Sequence, residues 1–182
     1  MPFEPIDAHL PAFNPFERFG RDWALLTAGD AEGVNTMTVS WGGLGVLWNL
    51  DVATVYVRPQ RYTKEFIERT GRFTLSFYAP EHKAALGVLG RVSGRDEDKV
   101  ARVGFTPVEL DGDFAFEEAE LVLACRVLYA DEIDPKLFRD ASCDARNYPE
   151  RDYHTAYIGE VERTYVRARG VPREGALRSY GG

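Results

Sequence analysis

Glu120-Leu121-Val122-Leu123-Ala124-Cys125-Arg126-Val127-Leu128-Tyr129, or ELVLACRVLY, is apolar at odd and even positions alike. Successive side chains of a strand point to opposite faces, so such a run has no side left for water and reads as a central strand or barrel stave. A strand of this kind needs a neighbour on each edge and a packed layer on each face. The rest of the chain has to supply them.

Several runs qualify as neighbours. Phe73–Tyr78 (FTLSFY) alternates, and so does Asn35–Trp41 (NTMTVSW), where Met37, Val39 and Trp41 share the core face and Thr36, Thr38 and Ser40 the other. Trp23–Thr27 is a short strand ahead of the turn signal Gly29-Asp30-Ala31-Glu32-Gly33. Val52–Val57 is rich in β-branched residues, and Tyr153–Val166 reads as a long final strand with Gly159 as a bulge. Pairing of 34–41 with 52–58, across the glycine-rich Gly42-Gly43-Leu44-Gly45, would put Arg58 beside the Val34–Thr36 end.

Helices fall between these strands. One starts near Thr63, with Thr63 as its cap, Glu65 in its first turn, Phe66 and Ile67 on its apolar side and Gly71 at its end. A second runs from Pro80 to about Leu89, and a short third covers Asp96–Val103 with the acidic Asp96-Glu97-Asp98 at its N-terminus. Residues 131 to 152 read mostly as loop, with one helical turn at Pro135–Phe138. Pro2, Pro5, Pro11 and Pro15 make residues 1–20 an extended arm, and 168–182 a tail. The expected architecture is mainly β with inserted helices: one antiparallel barrel domain over 1–182.

Composition narrows the function. Hydrophobic residues are 45% and charged residues 28% of 182, so the chain can bury a core. A net charge of −7 disfavours nucleic acid, and no apolar run reaches the roughly 18 residues of a membrane span. The acidic, proline-broken N-terminus lacks the pattern of a secretion signal, so the expected location is cytoplasmic. Cys125 and Cys143 are far apart and form no CxxC pair, which leaves neither a disulfide framework nor a metal site. Cys125 reads as inert packing, while Cys143 lies in a polar loop. His9 and His82 have no ligand spacing, and at least one of Trp41 and Trp48 is expected in the core.

One segment invites an anion. Arg58-Pro59-Gln60-Arg61-Tyr62-Thr63 leaves a strand and opens a helix, where unpaired N–H groups and the helix dipole favour negative charge. From periodicity alone the neighbouring hydroxyls of Thr36, Thr38 and Ser40 either bind a ligand or face water.

In order and spacing, NTMTVSW, VATVYVRPQRYT, GRFTLSFY, SGRDEDKV, LVLACRVLYA and HTAYIGEV resemble the flavin reductase-like family over roughly residues 20 to 167. That resemblance implies an FMN-binding split β-barrel and a homodimer. Asn35, Thr36, Met37, Thr38, Ser40 and Trp41 would then line the flavin ring and ribityl chain. Arg58, Arg61 and Thr63 would hold the phosphate, with Ser93 and Lys99 near that end. Ser76 and Phe77 stand where the family often has an asparagine, and His154 matches a histidine close to the nicotinamide or flavin, within Asp152-Tyr153-His154 in place of Gly-Asp-His. The implied activity is an FMN-dependent oxidoreductase taking hydride from NADH or NADPH for a small-molecule or protein electron acceptor. The alternatives are a non-catalytic, flavoredoxin-like electron carrier and a barrel that has lost its flavin. No GxGxxG is present for a dinucleotide such as FAD.

Overall fold

The computed structural model describes residues 3–5 and 13–168. In chain order its elements are β1 (Phe3–Pro5), α1 (Pro15–Glu17) running into a π turn over Arg18–Asp22, β2 (Ala24–Asp30), β3 (Gly33–Val39), β4 (Gly42–Leu47), β5 (Leu50–Val57), α2 (Tyr62–Thr70) and β6 (Arg72–Phe77). A 3-10 turn at Pro80–His82 leads into α3 (Lys83–Arg91). There follow α4 (Lys99–Val103), β7 (Pro107–Leu110), β8 (Asp113–Phe116), β9 (Leu121–Glu132), α5 (Ala141–Asn147) and β10 (Thr155–Arg167). Residues 1–2 and 6–12 of the expected arm, and the tail beyond residue 168, lie outside the described residues, and the end of the arm is helical from Pro15, not extended.

The strands form one large, open antiparallel sheet in the order β3-β2-β6-β9-β10-β5-β4, with β1 added beside β10 and β7–β8 as a separate hairpin. ELVLACRVLY lies at its centre, in β9 between β6 and β10. Leu121, Leu123 and Cys125 enter one core with Leu26, Met37 and Phe66, while Val122 and Ala124 enter a second with Leu25, Leu86 and Phe116. Two cores, one on each face, are what a strand without a polar side requires. Burial pushes the Cys125 thiol well above its ordinary range, which keeps it inert. The register of β10 shifts between Ile158 and Gly159, where the bulge was expected.

Three expectations need correction. Strand β3 does not pair with β5: its neighbour is β2, and β5 is flanked by β4 and β10. The glycine-rich stretch is itself strand β4. A Cβ on Gly42 would lie 2.5 Å from the Phe19 ring, so this glycine marks close packing rather than a loop. The β4–β5 turn is made by Trp48 and Asn49, both left-handed at φ 54° and 60°, as a type I′ hairpin requires.

The second correction concerns the tryptophans, neither of which joins the core. Trp41 is 42% exposed and Trp48 58%. The third is α5, inside a stretch read as loop. Asp140 caps it by accepting from Ser142 N at 2.9 Å.

Candidate functional site

At the start of α2 the chain turns sharply, with Arg61 N donating to Arg58 O at 3.1 Å. Arg61 is the N-cap residue and Gly71, left-handed at φ 66°, ends the helix. Thr63 is therefore not the cap. It lies within the first turn, fully buried, and its Oγ1 accepts from Asn35 Nδ2 at 2.7 Å. That bond ties β3 to the head of α2.

The loop after α3 closes over the same place. A Cβ on Gly94 would fall 2.1 Å from Asn35 Oδ1, so only glycine lets this backbone come so close. Arg95 stacks on the Tyr62 ring at 4.4 Å, donates to Gln60 O at 3.2 Å and pairs with Glu65. Ser93 Oγ turns the loop by accepting from Arg95 N at 3.2 Å.

A half-buried and a buried cation, Arg61 and Lys99, meet at the end of α3. Arg61 donates to Gly90 O at 2.7 Å, and Lys99 Nζ to Leu89 O and Val92 O at 3.0 and 2.9 Å. Lys99 is only 4% exposed. Among the described residues neither has a carboxylate within ion-pair distance, whereas Arg58, Arg72 and Arg163 each have one. Burial first, and then the Arg61 charge, bring the Lys99 ammonium down to about 8. Burial, then Arg58, hold the Arg61 guanidinium below its ordinary value. The helix C-terminus offers these cations partial negative charge, but not a full one.

Arg58 faces elsewhere. Its guanidinium pairs with Asp152 at 2.5 Å, donates to Asn147 O at 3.0 Å and lies 5.4 Å from the Tyr148 ring centre. It thus holds the segment between α5 and β10. Gln60 adds a second bond to Asp152 at 2.9 Å. His154 is buried in this corner, between Trp41 at 4.9 Å and Tyr148 at 5.5 Å, and its Nδ1 is 2.9 Å from the Tyr148 hydroxyl. Burial, then Arg58, push the imidazole down to about 4, so it is neutral at pH 7.

The hydroxyl row of β3 meets protein. Thr36 Oγ1 is 2.9 Å from Thr27 Oγ1, and Thr38 donates to Leu86 O of α3 at 2.5 Å. A 310 Å³ cavity does border Asn35 and Thr36, between β3, α4 and the β7–β8 hairpin, and Phe105 and Phe116 help to wall it. Ser40 is half-buried, and Met37 and Phe77 lie in the core. Ser76 sits on the opposite face of β6 from Phe77, beside Leu25 and Val122 and close to the Tyr78 hydroxyl. The fold thus brings together Asn35, Arg61, Thr63, Ser93 and Lys99, and separately Trp41, Arg58 and His154.

Sequence reading missed Tyr148, Asp152 as a partner of Arg58, and Arg95. The Asp140-Ala-Ser-Cys-Asp pattern was a capping signal that could have revealed α5 and, after it, Tyr148.

The family described as flavin reductase-like domain matches residues 16–177. A search of curated proteins finds no match. Among solved structures, the chain is similar to flavoredoxin of Desulfovibrio vulgaris (Miyazaki F), with 20% identity and TM-score 0.65 over 93% of this chain and 80% of that one. Flavoredoxin from Methanosarcina acetivorans is 22% identical, with TM-score 0.63 over 83% and 71% of the two chains. An FMN-binding protein from Thermus thermophilus, with bound p-hydroxybenzaldehyde, is 21% identical, with TM-score 0.63 over 92% and 85%. At such identities the likeness concerns the fold.

Proposed function

The chain belongs to the flavin reductase-like domain family, and from that premise we propose that it binds FMN and works as an FMN-dependent oxidoreductase with NADH or NADPH as reductant. The observation that carries this reading is the pair Arg61 and Lys99: a half-buried and a buried cation, on different elements, without a carboxylate partner among the described residues in a chain of net charge −7. Buried charge without a counter-ion is costly, and a phosphate supplies the missing charge. The residues present therefore fit the group. Arg61 and Lys99 would hold the phosphate, aided by the α2 N-terminus, with Asn35, Thr63 and Ser93 fixing their surroundings.

When bound, FMN supplies the hydride and electron transfer that no side chain here provides. The protein's share is binding, orientation and exclusion of water. His154, neutral and walled by Trp41, offers a hydrogen bond without a charge. We also propose one domain over residues 1–182, closing as a split barrel, located in the cytoplasm and paired as a homodimer. The exposed Val46 and Trp48 on the β4–β5 hairpin support a partner surface.

Two of the similar structures are flavoredoxins, which favours a second reading as a non-catalytic FMN-holding electron carrier. Anaerobic titration of the flavin-loaded protein with NADH and with NADPH separates the two. Bleaching of the flavin absorbance within catalytic times supports the reductase. No reduction by either nicotinamide, with reduction by dithionite intact, leaves the carrier. FAD or no flavin released on heating would remove both.

A further inference from the structure

We propose that Tyr148 is a positioning residue that fixes His154 as the Nε2–H tautomer, a standing hydrogen-bond donor, and that Arg58 latches Tyr148 in place. The tautomer is assigned by counting protons and acceptors. Tyr148 is buried, and among the described residues the hydrogen-bond acceptor in reach of its hydroxyl is Nδ1 of His154 at 2.9 Å. A neutral imidazole carries one N–H and one bare nitrogen. If Nδ1 kept the proton and donated to the phenol oxygen, the buried O–H of Tyr148 would have no acceptor, at the cost of an unmade bond. With the phenol donating to Nδ1, that bond is made and the ring proton resides on Nε2. Nε2 has no protein partner among the described residues, which leaves its N–H for a ligand.

The groups facing the pair keep it neutral. Arg58 lies over the Tyr148 ring at 5.4 Å, and its charge disfavours a second cation on His154. Asp152 opposes that effect, but it is already bound to Arg58 and Gln60. Arg61 adds further positive potential, and Trp41 contributes an uncharged wall. The Tyr153 hydroxyl is turned away to Asp144 at 3.0 Å. His154 is thus built to donate to a carbonyl or amide oxygen, the type of group found on flavin and nicotinamide rings, and not to shuttle protons at neutral pH. The ligand assignment rests on the FMN reading; the tautomer does not.

The test starts with the ligand-free full chain. Long-range proton–nitrogen NMR correlations, assigned with His154→Gln, report which imidazole nitrogen carries the proton. At pH 7 the expected signal is a single Nε2–H tautomer. An Nδ1–H form or an imidazolium at that pH overturns the proposal, whatever the protein binds. Tyr148→Phe, checked for an unchanged circular dichroism spectrum, should turn His154 into a mixture of tautomers. An unchanged His154 signal would equally overturn it. If Tyr148→Phe fails to fold, the wild-type tautomer still decides. In the flavin-loaded protein the variant should lower the rate of anaerobic reduction by nicotinamide about three- to tenfold, the worth of one neutral hydrogen bond, while FMN affinity stays within about twofold. Loss of FMN affinity with a normal tautomer would count against the site assignment and not against the pair.

Discussion

Two groups of cations in this molecule keep opposite company. On the outer surface of the central strands, Arg72, Arg126 and Arg163 meet Asp113, Glu160 and Glu162: Arg72 grips Asp113 with two bonds of 2.9 and 2.8 Å and reaches Glu162 at 2.9 Å, and Arg163 meets Asp113 at 3.1 Å. Every charge there has a full opposite charge. At the end of α3, Arg61 and Lys99 meet only backbone carbonyls among the described residues. The first group is complete as it stands and serves cohesion. The second carries surplus charge in a poorly solvated place, and such a surplus marks where a ligand completes the structure. Arginine count alone would not have told them apart.

The sharpest way to break this contrast is Arg61→Ala. Truncating one partner of a desolvated charge pair costs about 2–5 kcal/mol, or some 30-fold to several thousand-fold in affinity. FMN should weaken by at least about tenfold even if water replaces the guanidinium, and riboflavin, without the phosphate, by much less. Flavin fluorescence titrations at fixed ionic strength measure both. Equal losses would show that Arg61 only caps α3.

Asp113→Asn is the counterpart in the balanced group. It should lower unfolding free energy in urea by about 1–3 kcal/mol, less than the roughly 3–5 kcal/mol of a fully buried pair because Arg72 and Arg163 still touch water. FMN affinity should not change. A change would mean that the two groups are coupled.

A smaller effect follows from Lys99. In the free protein burial and then Arg61 bring its ammonium down to about 8, against about 10.4 in an unfolded chain. Over that window the unfolded state binds more protons, so the free protein gains stability as pH rises from 8 to 10.4. Phosphate acts in the other direction, because it favours the ammonium. FMN affinity should therefore hold up to about pH 8 and then fall by up to about tenfold per pH unit. Lys99→Met should bind more weakly at pH 7 and lose this slope; a slope that persists in the variant would assign it to another group.

Arg58→Ala should have the least effect on FMN, within about threefold, since its partners are Asp152 and Asn147. Its cost belongs to the α5–β10 segment, where proteolysis should cut faster. A loss as large as that of Arg61→Ala would return Arg58 to the phosphate.

The two regions also divide what could be read without coordinates. The central place of β9 was legible because five consecutive apolar residues leave no alternative, and α2 was legible from Phe66, Ile67 and Gly71. The anion segment was legible from its residue types. Which of its arginines turns inward was not, because that depends on the partner strand, and β5 pairs with β4 and β10, not with β3. The surroundings of the Thr36 and Thr38 hydroxyls were illegible for a related reason: their periodicity is the same whether they face water, ligand or a second protein layer. Here the layer is α3 and the β7–β8 hairpin, and nothing local announces it. Strand β4 was hidden by its glycines, of which Gly42 serves close contact with Phe19.

Strand β9 carries a last consequence. Its first half, Leu121 to Cys125, is sealed between two cores, while from Arg126 onward it runs along the surface, with Arg126 and Glu132 exposed. Solvent can reach the amides of the second half through small local openings at that end of the sheet. Those of the first half are released only when both cores come apart, which is the unfolding of the whole. Amide exchange along this one strand should therefore divide into two rates, the slow one reporting global stability and the fast one the ease with which the sheet frays beside β10.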